Sequence, residues 1–82
     1  MSSWVMERHT IYFDHKTTYD IDLYWDKFGI FCVSVYLEGE NRPIYESKYN
    51  DIETATRKFK RQIRKLQKEL KEKYDSERHN QQ

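Results

Sequence analysis

The sequence predicts a two-layer α+β domain. Its sheet is an antiparallel meander of three to four strands, and one long C-terminal amphipathic helix packs on one face in the order ββββα. Three observations carry that prediction. Ile52, Ala55, Phe59, Ile63, Leu66, Leu70 and Tyr74 recur at steps of three or four, the spacing of one helix face. Ahead of them Tyr19, Ile21, Leu23 and Trp25 alternate with Asp20, Asp22 and Tyr24, the period of a strand with one dry and one wet face. Both glycines, Gly29 and Gly39, fall in short polar runs that separate strand-length pieces.

Residues 4–13 hold rings and β-branched side chains suited to a first strand, although they alternate imperfectly. A polar connection, 14–18, leads to the second strand over 19–25. Asp26-Lys27-Phe28-Gly29 then fits a tight turn, with Asp at its first position and Gly supplying the positive φ. Residues 30–37 form the most apolar strand, placed centrally, with Phe31, Val33, Val35 and Leu37 on the core face and Cys32, Ser34 and Tyr36 opposite. After a second turn around Gly39, residues 43–49 make a fourth strand, which Pro43 assigns to an edge because it has no N–H for a ladder. Asn50 is the expected N-cap, with Glu53 completing a capping-box pattern, and no Gly or Pro interrupts the helix before about Tyr74. At that length the helix outruns the sheet, so Leu66, Leu70 and Tyr74 need a further surface, either the first strand or a second subunit in a homodimer.

Eighty-two residues make one small domain, assigned to 1–74, with 75–82 read as a disordered polar tail. Aromatic residues at 16% argue for a packed core despite an apolar content of only 37%. The single cysteine, Cys32, excludes an intramolecular disulfide. No apolar run approaches the roughly 20 residues of a membrane span, and the first residues lack the basic and apolar regions of a secretory signal. The expected location is the cytoplasm.

Net charge is only +1, but it divides unevenly. Residues 1–50 carry five basic and eight acidic side chains, whereas 51–82 carry ten and six. Arg57, Lys58, Lys60, Arg61, Arg64, Lys65 and Lys68 occupy the helix with no acid between Glu53 and Glu69. Cations clustered on one element are the footprint of phosphate binding, so the expected function is a non-enzymatic module that associates with nucleic acid, or with a nucleic-acid-handling complex, through this helix. The competing structural role for these residues is the solvated outer face of a helix laid on a sheet.

The alternative is a protein-protein module, an adaptor or an inhibitor of the kind mobile elements encode. It would use an acidic, aromatic sheet face built from Asp20, Asp22, Tyr24 and Tyr36. A meander followed by a helix with a basic stretch at Arg57–Arg61 resembles, in architecture alone, the double-stranded-RNA-binding domain. The element order is also similar to the N-terminal arm-binding domain of phage-type integrases, which binds DNA with a sheet face that acids would oppose.

Other chemistry lacks support in the sequence. Asp20 and Asp22 share a face without a third metal ligand. Cys32 has no flanking motif to pair it with His9, His15 or His79 as a nucleophile, and no Gly-rich phosphate loop is present. The chain is therefore expected to have no catalytic residues, metal or cofactor. Membrane binding by the amphipathic helix would withdraw the stripe that covers the sheet.

Overall fold

The computed structural model describes residues 3–80, with side chains over 4–76. Four strands, β1 (Ser3–Tyr12), β2 (Thr18–Asp26), β3 (Phe31–Leu37) and β4 (Tyr45–Tyr49), precede one helix, α1 (Ile52–Asn80). The strands form one antiparallel sheet in the order β1-β2-β3-β4, so β1 and β4 are its edges. This is the ββββα architecture expected from the residue periodicities.

The core lies between the helix and one sheet face. Ile21 and Leu23 of β2, Val33 and Val35 of β3, and Ile11 of β1 meet Ala55, Phe59 and Leu66, with Tyr19, Phe31, Tyr49, Ile63 and Leu70 packed around them. The cross-strand pairs Ile21–Val35 and Leu23–Val33 place four of these side chains in register, which is what the period-two alternation requires.

β1 pairs with β2 within the chain. Its imperfect alternation has a cause. The register shifts between Val5 and Glu7, so Trp4 opposite Trp25 and Ile11 opposite Tyr19 both face the helix side although their spacing is odd. A bulged residue at Met6 absorbs the difference.

The turns follow their chemistry. The Asp26 carboxylate accepts the N–H groups of Phe28 (2.8 Å) and Ile30 (3.0 Å), while Gly29 takes φ +80°. β4 starts at Tyr45 rather than at 43, because Pro43 has no N–H to donate.

Two helix boundaries are corrected. The N-cap is Asp51, not Asn50: its carboxylate accepts the Thr54 N–H at 2.8 Å and its carbonyl accepts from Ala55. A charged cap one residue later also meets the positive end of the helix dipole. Hydrogen bonding from the Thr54 N–H, and then from its side chain, holds the Asp51 carboxyl below the usual carboxylate range. At the other end the helix continues past Tyr74 to Asn80, since nothing in that stretch breaks a helix. Of the predicted polar tail 75–82, residues 81–82 lie outside the described residues.

The helix does outrun the sheet, and its own chain supplies most of the missing surface. Leu66 is buried in the core and Leu70 packs against it. The Asp14 carboxylate at the β1–β2 loop accepts the Lys73 ammonium at 2.7 Å, and that ammonium lies 4.9 Å from the centre of the Phe13 ring. Tyr74, half exposed, sits beside Tyr12, Phe13 and His15.

Candidate nucleic-acid interface

The helix presents its cations in ranks. At about 100° per residue, Ala55, Phe59 and Leu66 define the side turned to the sheet. Arg57, Arg61, Arg64 and Lys68 then lie almost diametrically opposite, along about 16 Å of helix axis. All four are exposed. The remaining predicted cations divide between the flanks. Lys58, half-buried, and Lys65 lie on the side of β4, where Lys65 lines a groove with Ile44 and Tyr45. Hydrogen bonding to Tyr49, aided by the nearby charges of Lys58 and Arg61, draws Tyr45 below the ordinary phenol range. Lys60 lies on the other flank, toward β1 and β2. The seven residues therefore make a central ridge with two shoulders rather than one patch.

Lys71 belongs to the ridge although sequence reading stopped at Lys68. It is exposed and, seven residues after Arg64, repeats that side chain's direction. The signal was present in the helical spacing but was masked by Glu69, which turns toward the β4 flank.

Among the described residues the ion pairs are Arg8–Asp22 and Asp14–Lys73. No ridge cation takes part in either. The ridge is thus an exposed line of positive charge along the helix.

The open sheet face differs from the wet acidic surface expected of it. Asp22 is 4% exposed, and Cys32 and Ser34 are buried beside it; Asp20, Tyr24 and Tyr36 are half-buried. Long side chains from neighbouring strands lie across the short ones. Arg8 on β1 donates to both Asp22 oxygens, at 2.7 and 2.9 Å. The Tyr24 hydroxyl donates to Glu46 on β4 at 3.0 Å, and Ser34 Oγ lies 3.4 Å from both. Thr10 donates to Asp20 at 2.8 Å. Burial pushes the Tyr24 phenol well above its ordinary range and raises the Cys32 thiol, so neither is poised to ionise near neutral pH. The network neutralises Asp22 and fixes Asp20 and Glu46 in place, although these two keep their charge. Arg8 was missed as a partner for Asp22 because their pairing is set by the length of the β1–β2 loop, which no turn motif in residues 13–17 fixes.

No group of three or more His, Cys, Asp or Glu side chains is placed to hold a metal ion among the described residues. No helix there is long and apolar enough to cross a membrane. Comparison with known protein families, curated proteins and solved structures gives no match for this chain.

Proposed function

We propose that this protein is a small non-enzymatic binding module that engages nucleic acid through the outer face of α1. The carrying observation is the ridge of Arg57, Arg61, Arg64 and Lys68, exposed and without ion-pair partners among the described residues. Solvation of a helix face does not need four cations in line, and acids at helical spacing, which would lower their mutual repulsion, stand only at the two ends of the row, Glu53 before Arg57 and Glu72 after Lys68. A polyanion relieves that repulsion and releases its own counterions, which gives affinity that depends on salt and little on base sequence. The shoulders, Lys58, Lys60 and Lys65, extend the contact to phosphates on either side.

The alternative, a protein interface on the open sheet face, is less well supported. Asp22 is charge-paired with Arg8 and buried, so of the two predicted acids only Asp20 keeps an unpaired charge to steer a basic partner. A homodimer seam has only Tyr74 and the uncovered part of Leu70 left to it, and forms no part of this reading.

The test is a fluorescence-anisotropy titration of labelled DNA and RNA at low salt with the wild type, Arg61→Glu/Arg64→Glu, and Tyr36→Ala. Loss of binding in the first variant alone supports the helix. Loss in Tyr36→Ala alone moves the site to the sheet.

A further inference from the structure

The helix leaves one end of its own sheet face uncovered, and that end carries aromatic rings. Trp4 and Trp25 are paired across β1 and β2 with ring centroids 5.5 Å apart. Trp25 in turn stacks on Phe31 at 6.4 Å with only 18° between the planes. Phe31 packs against the core, so the three rings form a ledge anchored at its inner end and open at its outer one. Trp4 is 56% exposed and Trp25 43%, an unusual state for the two largest side chains of a small domain.

The ledge lies beside the cations. Phe31 pairs with Tyr49, the last residue of β4, and α1 starts three residues later, so the ledge and the first helical turns share one end of the molecule. Because Lys65 lines the groove with Ile44 and Tyr45, the flank bearing Lys60 is the one turned toward β1 and β2. A groove of about 430 Å³ runs along that flank, lined by Ile52, Glu53, Thr56, Arg57, Lys60 and Arg64. All of these lining residues belong to α1, so the groove is the basic wall of a step whose floor is the aromatic ledge beside it.

We infer that this step binds a single strand of nucleic acid, with unpaired bases stacked on Trp25 and Trp4 and phosphates held by Lys60 on the near flank, backed by Arg57 and Arg64, which line the same groove from the ridge. The inference rests on the function proposed above and makes it specific. Bases in a duplex are stacked on one another and cannot lie on protein rings, whereas those of a single strand can, and stacking combined with a cationic track is how such strands are held without sequence preference. Two acids, Glu7 on the floor and Glu53 on the wall, oppose phosphate, so Glu53→Gln should tighten binding.

The experiment uses intrinsic fluorescence, because Trp4 and Trp25 are the only tryptophans and report the ledge directly. The full chain is titrated at low salt with an oligothymidylate strand and with a blunt duplex of equal length. The expected result is quenching and tighter binding by the strand. Trp4→Ala should weaken strand binding about tenfold while leaving duplex binding unchanged, and Trp4→Phe should keep most of the affinity because it keeps a ring. Two results would overturn the inference while leaving the broader function standing: equal binding of strand and duplex without quenching, or strand affinity indifferent to Trp4→Ala. Failure of both ligands to bind would remove the function and the inference together.

Discussion

Asp22 is the residue whose environment most constrains the fold outside the apolar core. It sits on a sheet face that no helix covers, yet it is 4% exposed and relies on one guanidinium for both oxygens. A buried carboxylate left without its partner costs more than the pair itself contributes. Arg8 is 55% exposed, so the penalty is smaller than for a fully enclosed pair. Arg8→Ala is expected to cost about 2 kcal/mol in urea unfolding, whereas Arg8→Leu with Asp22→Leu should recover much of that loss. A double variant less stable than Arg8→Ala would show that the pair stabilises the sheet rather than merely neutralising a charge. The alternation of residues 19–25 correctly put Asp22 opposite the core. That it is dry could not be read there, because burial on this face depends on Arg8, a residue of another strand whose register is set by the β1–β2 connection.

At the scale of the elements, α1 is held at both ends by carboxylates. Asp51 caps its first turn, and Asp14 accepts Lys73 near its far end. Lys73 above all, together with the Lys16 backbone N–H, holds the Asp14 carboxyl well below the usual carboxylate range, and Asp51 is lowered by the Thr54 N–H. Depressed carboxylates contribute stability that is fully present above their unfolded pKa of about 4 and is lost as pH falls through the lower folded value. Melting temperature followed by circular dichroism should therefore drop as pH is lowered below about 4. Asp14→Asn with Asp51→Asn should melt lower at neutral pH but lose less on acidification. An unchanged acid slope would mean that these two groups do not anchor the helix.

The helix itself was legible because its apolar stripe is regular from Ile52 to Leu70. Its cap was displaced by one residue, since Asn50 and Asp51 are both good caps and only the observed hydrogen bond to Thr54 decides between them. Leu66 was legible as apolar but not as satisfied: whether the first strand lay beneath the helix depended on long-range pairing, which local periodicity does not encode.

For the whole molecule the division of charge takes on a spatial meaning. The acids of residues 1–50 are largely tied up in turns and cross-strand bonds, as at Asp14, Asp20, Asp22, Asp26 and Glu46. The cations of the helix stand outward. A net charge of +1 thus conceals a protein with one strongly positive side. The run of cations announced that side in the sequence, and helical geometry added the ridge and Lys71. The aromatic ledge was not legible, because Trp4 and Trp25 meet only through the bulged register of β1.

The most direct test of the proposal that the ridge binds phosphate is the dependence of affinity on salt, compared between the wild type and Arg61→Glu/Arg64→Glu. Four ridge contacts to a duplex predict a slope of log K against log salt of about −3.6, and loss of two of them should reduce its magnitude by about 1.8. Both substitutions are on exposed positions, so the fold should be retained. A wild type that does not bind at low salt, or a variant with the same slope and affinity as the wild type, would contradict the account.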